Sequence, residues 1–238
     1  EEPLCDACYH RYTVSGGIES YYYKPQPIFY GTGPRYFGVE LEIDEGGERV
    51  RSAQALMSLV NDGAERIYCK HDGSLDDGFE IVTHPMSLDY HLHQMPWTPL
   101  CRAAVEMGYR SHQSGSCGLH IHVSRNAFGQ TEADQDAAIA RVLYFFEKHW
   151  EELLEILEHA KKGVHAGRYT CVNLTSPDTV EFRIFRGTLK ANTIFAALQL
   201  VDRVCDAACF LSDEELKALS WTSFAAGCTQ PELVAYLK

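Results

Sequence analysis

The chain has 238 residues, of which 45% are hydrophobic and 23% are charged, an ordinary composition for a globular protein. Its net charge of −12 argues against nucleic acid as a partner, because binding to phosphate backbones needs an excess of Lys and Arg. No apolar run approaches the roughly 20 residues that span a bilayer, and no secretory signal opens the chain, so we expect no membrane partner. Nine scattered cysteines fit buried thiols in the reducing cytoplasm better than a disulfide framework.

The first part of the chain, residues 1–33, differs from the rest. Cys5 and Cys8 have the spacing of metal ligands, but a zinc ribbon needs a second pair, and His10 is the only other nearby candidate. The pair is either what remains of an N-terminal zinc ribbon or a simple turn, and Zn²⁺ is expected there only if the ribbon is complete. Residues 21–30 are rich in Tyr and Pro, which predicts an extended connector.

The remaining residues, 34–238, carry alternating strand and helix patterns and are expected to form one catalytic domain. The predicted strands cover 36–43, 66–70, 79–83, 119–124, 168–174 and 179–186. The predicted helices cover 48–62, 87–107 with interruptions at Pro96 and Pro99, 131–161 with a break near His149, 191–210, 213–219 and 230–237. This order mixes hairpins with crossovers, which predicts an α+β fold with a curved, largely antiparallel sheet and helices packed on one face.

The first long strand, 36–43, alternates apolar and polar residues with period two. Glu40 and Glu42 therefore lie on one face, roughly 7 Å apart along the backbone. Taken alone, this pair is typical of a solvated sheet face. Two carboxylates so close also raise each other's pKa unless a cation lies between them.

Three later strands repeat this pattern of polar residues on one face. Strand 119–124 presents His120, His122 and Ser124, and strand 179–186 presents Glu181, Arg183 and Phe185. Strand 79–83 presents Glu80 and Val82. One sheet face would thus gather four carboxylates, two imidazoles and a guanidinium. Oxygen-rich donors with few imidazoles favour Mg²⁺ or Mn²⁺ over Zn²⁺, and Mg²⁺ sites of this kind generally hold a nucleotide through its phosphates.

Five segments in order resemble the amidoligase family, the carboxylate–amine ligases of the glutamine synthetase and glutamate–cysteine ligase superfamily found in phage and bacterial genomes. They are Phe-Gly-Val-Glu-Leu-Glu-Ile at 37–43, Asp-Gly-Ser-Leu at 72–75, Glu-Ile-Val-Thr-His-Pro at 80–85, Gly-Leu-His-Ile-His-Val-Ser at 118–124 and Val-Glu-Phe-Arg-Ile-Phe-Arg-Gly-Thr at 180–188. The resemblance covers about residues 34–205. It implies a glutamine-synthetase-like domain that uses ATP and Mg²⁺, with Mn²⁺ as the alternative.

The resemblance also implies roles for individual residues. The implied metal ligands are Glu40, Glu42, Glu80, His120 and Glu181. The implied nucleotide- and substrate-binding residues are His120, Ser124, Arg183, Lys70 and Ser74. The implied catalytic residues are Arg183 on the phosphate, Arg186, Asn173 and His122, where His122 or a carboxylate would be the base.

The implied reaction joins a carboxylate substrate to an amine through an acyl phosphate. Two other functions stay open at this point. One is a zinc hydrolase that uses His120 and His122; the other is a non-catalytic binding module built on a zinc ribbon. The sequence does not identify the acid or the amine, which within the superfamily range from amino acids to peptides and protein side chains.

Overall fold

A computed structural model of the chain describes residues 17–157 and 171–238. Its strands are β1 (Ile18–Glu19), β2 (Tyr36–Ile43), β3 (Ile67–Lys70), β4 (Phe79–Thr83), β5 (Met86–Ser87), β6 (Gly118–Ser124), β7 (Val172–Asn173) and β8 (Thr179–Arg186). Its helices are α1 (Val50–Val60), α2 (Leu88–His93), α3 (Trp97–Glu106), α4 (Glu132–Lys148), α5 (Trp150–Ile156), α6 (Ala191–Phe210), α7 (Asp213–Ala218), α8 (Trp221–Ala226) and α9 (Pro231–Tyr236). The fold is therefore α+β.

All eight strands belong to one sheet, in the order β1-β3-β4-β2-β6-β8-β7, with β5 paired to β2 outside this path. Every pairing within the sheet is antiparallel except that of β1 with β3. The prediction of a largely antiparallel sheet is confirmed. The two longest strands, β2 and β8, have the predicted bounds, and so does the long helix α6.

One face of the sheet is apolar and packs against the helices. Phe37, Val39, Leu41 and Ile43 of β2 are fully buried on this face. They form one continuous core with apolar side chains of every long helix, which is why the helices cover this face. The ion pairs of Arg35 with Asp202 and Asp206 join the start of β2 to α6.

Some predicted elements differ in detail from the structure. Pro99 does not interrupt a helix, because it lies in the first turn of α3, where its missing N–H has no partner to lose. Helix α8 is not predicted from the sequence. The predicted strand 168–174 appears only as β7, because its first residues lie outside the described part of the chain, as does the predicted helix end at 161.

The prediction that Phe185 shares a face with Glu181 is wrong. A β-bulge in β8 sets two residues, Arg183 and Ile184, opposite the single His120 of β6. The extra residue reverses the alternation beyond it, so Phe185 pairs with Leu119 and is buried in the core.

The connector packs against the edge of the sheet. Strand β1, which precedes the connector, pairs with β3, and Tyr23 of the connector packs edge-on against Tyr68 of β3 with ring centroids 5.4 Å apart. Further along, the Tyr30 N–H donates to the Pro85 carbonyl at 3.0 Å. Cys5, Cys8 and His10 lie outside the described residues, so the zinc ribbon and the domain boundary at residue 33 stay predictions.

The cysteines of the described part are free thiols. Cys69, Cys101, Cys117, Cys171, Cys205 and Cys228 are buried and Cys209 is half-buried. Among the described helices, none combines the length and apolar character needed to cross a membrane.

Candidate functional site

The polar face of the sheet carries side chains in three rows that run across the strands. The first row contains Lys70, Glu80, Glu42, Gly118 and Arg186. In the strand register Lys70 pairs with Glu80, Glu80 with Glu42, and Gly118 with Arg186. Glu42 and Gly118 lie side by side because they are adjacent to the paired residues Leu41 and Leu119. The row thus crosses five strands, β3, β4, β2, β6 and β8. Register partners on neighbouring antiparallel strands have Cβ atoms about 5 Å apart, so this row brings together charged residues from positions 42 to 186 of the sequence.

The second and third rows lie one pleat further along. The second contains Tyr68, Val82, Glu40 and His120 and ends at the bulge that carries Arg183. The third contains Gly38, His122, Glu181 and Asn173. Because the side-chain period of a strand is two, all three rows point to the same side of the sheet.

The two histidines are bridged by shared carboxylates. His120 Nδ1 lies 3.4 Å from Glu40 Oε2 and 3.8 Å from Glu181 Oε1. His122 Nε2 lies 3.3 Å from the other oxygen of Glu40 and 4.0 Å from Glu181 Oε1. His120 Nε2 also approaches Glu42 Oε1 at 3.7 Å. Glu40 is thus the centre of the cluster, in contact with both imidazoles.

Glu181 is held by two neighbouring side chains. Arg183 ion-pairs with its Oε1, and Asn173 Nδ2 donates a hydrogen bond to its Oε2 at 2.7 Å. Asn173 therefore contacts the cluster only by its hydrogen bond to Glu181 among the interactions described for it here. On the far side of the cluster, Lys70 Nζ lies 3.2 Å from Glu80 Oε2.

Gly118 shapes the space around His120. Its N–H donates to Glu42 Oε2, and a Cβ built on it would lie 2.5 Å from His120 Nε2. A side chain at this position would displace the imidazole. The glycine is therefore required by the close approach of the His120 ring to the backbone.

The cluster is buried at its base and accessible at its rim. The side chains of Glu80, His120, Glu42 and Glu181 are between 2% and 8% exposed. The side chains of Glu40, Arg183 and His122 are between 19% and 23% exposed. A ligand can thus reach Glu40 and His122 directly while the remaining carboxylates stay shielded from water.

The carboxylates perturb one another and the imidazoles. Burial, and then the charge of Glu40, raises the pKa of Glu80 well above its ordinary value, despite the opposing charge of Lys70. Burial alone would also raise the pKa of Glu40, but the imidazoles of His122 and His120 outweigh it and hold that pKa well below its ordinary value. Burial lowers the pKa of His122, and Glu40 and Glu181 more than reverse this effect. The raised pKa values of Glu80 and His122 indicate that the electrostatics of the cluster favour additional positive charge.

Three overlapping sets of side chains could hold metal ions. They are Glu40 with Glu80 and His120, Glu40 with His122 and Glu181, and Glu42 with Asp72 and Glu80. In each set the ligand atoms lie within 4.8 Å of one another. Each set contains at most one imidazole, which fits the hard cations Mg²⁺ and Mn²⁺ better than Zn²⁺. The buried Nε2 of His120 has no hydrogen-bond partner among the described residues, as expected of an atom that lies free for a ligand.

The structure brings most of the predicted site residues together but leaves some at the margin. Ser74 is exposed and reaches the cluster only through Asp72, whose Oδ1 accepts the Ser74 N–H at 2.7 Å. Ser124 ends β6 opposite Thr179, and no hydrogen bond joins it to the cluster within the described ranges. Arg186 lies at the end of the first row, where its Nη2 donates to the His112 carbonyl at 2.9 Å.

Asp72 is a candidate ligand that the sequence did not single out. Asp-Gly-Ser is an ordinary turn sequence, and the Asp72 side chain does close that turn. Its second role depends on the pairing of β3 with β4, which places the turn beside Glu80. The position of Asp72 two residues after Lys70, within one of the five quoted segments, is the signal that could have found it.

No protein-family model matches the chain, and no curated protein matches it. A solved structure, the complex between the prokaryotic ubiquitin-like protein Pup and its ligase PafA, is similar to this chain with a TM-score of 0.40 and 10% sequence identity. The similarity covers 74% of this chain and 46% of that chain, so the chain spans less than half the length of the structure it matches. A TM-score of 0.40 is too low to support an argument about function.

Proposed function

We propose that the chain is an ATP-dependent carboxylate–amine ligase with a glutamine-synthetase-like catalytic domain. The observation that carries the proposal is the convergence of Glu40, Glu80, Glu181, His120 and Arg183 on one face of the sheet. The five sequence segments that resemble amidoligases, in the same order, support the same function.

Charge balance is the physical reason for expecting cations. Four glutamates, at positions 40, 42, 80 and 181, lie close together, and two side chains with fixed positive charge, Lys70 and Arg183, ion-pair with them. Carboxylates that are buried without compensation are costly, so the arrangement favours bound cations. An enzyme that holds nucleotide phosphates through Mg²⁺ needs this excess of oxygen donors.

When bound, Mg²⁺ would neutralise the triphosphate of ATP. Glu40, Glu42, Glu80, Glu181 and His120 would hold the metal ions. Arg183 would stabilise negative charge on the transferred phosphoryl group, and its contact with Glu181 keeps the guanidinium at the cluster. Asn173 would orient Glu181 through its hydrogen bond.

The reaction would proceed in two displacements. An oxygen of the acid substrate bonds to the γ-phosphorus as the bond to ADP breaks. The amine nitrogen then bonds to the acyl carbon as the bond to phosphate breaks, and the amine gives up a proton. His122 or a carboxylate of the cluster would accept that proton; His122 is accessible, and its Nδ1 lies 3.2 Å from Thr179 Oγ1.

The zinc hydrolase receives less support from the same geometry. Catalytic zinc sites usually take two or three histidines, whereas His120 and His122 fall into different ligand sets. The binding-module alternative depends on Cys5 and Cys8, which lie outside the described residues.

Glu40→Gln and Glu181→Gln test the proposal. Each variant is expected to keep the fold and to lose amine-dependent ADP release roughly 100-fold or more, since even outer-shell metal partners are worth 10- to 100-fold. Glu214→Gln, on the exposed first turn of α7, is the matched control and should retain activity. Screening pairs of acids and amines by ADP release and product mass identifies the substrates. Wild-type activity in either site variant would refute the metal assignment.

A further inference from the structure

Asp44 is a buried carboxylate beside the cluster that belongs to none of the three ligand sets. It follows β2 directly, two residues after Glu42, and it is 2% exposed. In the part of the chain that the structure describes, no Lys, Arg or His forms an ion pair with it. A buried charge without an ion pair is costly unless hydrogen bonds replace those of water. The hydrogen-bond partners of Asp44 therefore indicate its role.

Both carboxylate oxygens of Asp44 accept hydrogen bonds from the β3–β4 loop, residues 71–78. The Asp77 N–H donates to Oδ1 at 2.7 Å, and the Asp76 N–H donates to Oδ2 at 3.2 Å. The Asp77 carbonyl in turn accepts the Gly47 N–H at 2.9 Å. Asp44 and its neighbours thus tie the β3–β4 loop to the segment that follows β2.

The end of the β3–β4 loop packs tightly on the end of β2. A Cβ built on Gly78 would overlap the carbonyl oxygen of Ile43 and would lie 2.6 Å from Asp44 Cα. Glycine is therefore required at this position by the close approach of the two backbones. The hydrogen bonds to Asp44 form across this close contact.

The residue after Asp44 has an unusual backbone conformation. Glu45 has a φ of 65°, the only positive φ of a non-glycine residue in the described ranges. This left-handed conformation costs free energy in an L-residue and persists where surrounding contacts hold it. The Glu45 N–H donates to Asp44 Oδ1 at 2.9 Å, so the oxygen that holds Asp77 also holds Glu45. The Asp44 carboxylate thus fixes its own segment and the loop together.

The β3–β4 loop carries Asp72, the candidate ligand of the third set. Asp72 Oδ1 accepts the Ser74 N–H at 2.7 Å, and a carboxylate oxygen of Asp72 lies within 4.8 Å of ligand atoms of Glu42 and Glu80. Three carboxylates so close repel one another when no cation lies between them. Glu42 and Glu80 are held by their strands, whereas Asp72 is held only by the loop. An anchor for the loop is therefore needed to keep Asp72 in the set.

Resting on the metal binding of the ligase function proposed above, we propose that Asp44 is a positioning residue for the third ligand set, which consists of Glu42, Asp72 and Glu80. Asp44 does not bind the metal ion. Its carboxylate holds the end of the β3–β4 loop, and the loop holds Asp72 beside the two glutamates. Loss of this anchor weakens the third set through Asp72 and leaves the set that contains His122 in place.

Amide hydrogen exchange in EDTA tests the anchor without metal or nucleotide. Asp44→Asn keeps the size of the side chain but removes one acceptor oxygen, so the N–H of Asp76 or of Asp77 loses its partner. We expect at least one of these amides to exchange about tenfold faster than in the wild type, the value of a hydrogen bond to a charged group. Asp62→Asn, on the exposed turn after α1, is the matched control and should leave both rates unchanged. Unchanged rates in Asp44→Asn would overturn the anchor.

Mn²⁺ titrations test whether the anchor acts through Asp72. In calorimetric titrations without nucleotide, Asp44→Asn and Asp72→Asn should each weaken Mn²⁺ binding about tenfold or more, in the range seen when the supports of metal ligands are lost. Because Asp44 acts through Asp72, the double variant should bind Mn²⁺ no more weakly than Asp72→Asn alone. Additive losses in the double variant, or wild-type affinity in Asp44→Asn, would overturn the proposal.

Ser116→Ala separates the loop from the other contact of the same carboxylate. The Ser116 hydroxyl donates to Asp44 Oδ2 at 3.2 Å, but Ser116 lies on the segment before β6 and not on the β3–β4 loop. This variant should therefore bind Mn²⁺ like the wild type. A loss equal to that of Asp44→Asn would show that Asp44 acts by a route other than the loop, and would overturn the proposal.

ADP release distinguishes this proposal from the ligase proposal. Mn²⁺ affinity lost through Asp72, in a chain that releases no ADP with any pair of acid and amine, would support the positioning role and overturn the ligase. Amine-dependent ADP release, with unchanged Mn²⁺ affinity in Asp44→Asn, would do the reverse. A wild-type chain that binds no Mn²⁺ would overturn both.

Discussion

Glu181 and Phe182 are neighbours on β8, and their side chains lie on opposite faces of the sheet. Phe182 is fully buried and packs against Phe146 of α4, with ring centroids 5.8 Å apart. Glu181 is almost as buried, but its neighbours are His120, His122, Arg183 and Asn173. The apolar face gains stability from burial. The polar face gathers several carboxylates, whose burial costs free energy. Such groups are expected in a stable fold where they bind a ligand.

Two histidines show the same contrast. Burial lowers the pKa of His91, on α2, to about 4, although the contact of its Nε2 with the Phe37 carbonyl acts in the opposite direction. Its ring stacks on Trp97, and no carboxylate of the described residues ion-pairs with it. His122 is also shielded, but Glu40 and Glu181 raise its pKa. The sign of the shift therefore follows the neighbours of each ring, and it differs between the core and the polar face.

The largest expected effect separates the two faces at adjacent residues. Phe182→Ala should lower the free energy of unfolding by about 3–5 kcal/mol, the usual cost of emptying a buried phenylalanine site. Glu181→Gln should lower it far less, because Gln keeps the size of the side chain and an oxygen that can accept the Asn173 hydrogen bond, and it loses only the ion pair with the partly exposed Arg183. Urea unfolding in EDTA measures both. Equal destabilisation by the two variants would mean that the polar face is part of the structural core.

The next effect concerns pH. Because the folded-state pKa of His91 is about 4 and its unfolded value is about 6.5, the unfolded chain binds more protons between these values. The contribution of neutral His91 is complete above pH 6.5 and is lost as the pH falls towards 4, by about 3 kcal/mol in total. His91→Gln should flatten the stability curve over that window. Parallel curves for the wild type and the variant would contradict the assigned shift.

Metal ions should stabilise the chain through the polar face alone. At 100 times its dissociation constant, Mg²⁺ or Mn²⁺ should add about 2.7 kcal/mol, measured as a rise in melting temperature relative to EDTA. Glu40→Gln should lose most of this gain, because Glu40 belongs to two of the three ligand sets. Glu214→Gln should keep it. An equal gain in both variants would place the binding elsewhere.

The smallest effect distinguishes two glycines of the polar face. A Cβ on Gly118 would collide with His120 Nε2, whereas a Cβ on Gly38 would meet His122 Cβ at 3.6 Å, an ordinary contact. Gly118→Ala should therefore weaken Mn²⁺ binding about tenfold, in the range seen when the supports of metal ligands are removed. Gly38→Ala should change it little. Similar affinities for the two variants would show that the position of His120 does not matter.

The residues of the polar face could be predicted from the sequence because period-two alternation is a local property. Glu40, Glu80, His120, His122 and Glu181 each follow from the alternation in their own strand, and the register then aligns them. The bulge at Arg183 and Ile184 is not visible in the alternation, so Phe185 was assigned to the wrong face.

What the sequence could not provide depends on contacts between distant segments. Asp72 joins the cluster only because β3 pairs with β4 and β4 pairs with β2, which brings the turn beside Glu80 and Glu42. No local pattern marks Asp72 as a candidate ligand.

Diffraction from crystals grown with Mn²⁺ and a non-hydrolysable ATP analogue tests the central claim most directly. We expect anomalous peaks on the polar face within coordination distance of Glu40, Glu80, His120 and Glu181, with the nucleotide phosphates between them and Arg183. A polar face without manganese or nucleotide would contradict the ligase proposal. So would a single tightly held zinc ion bound by both His120 and His122.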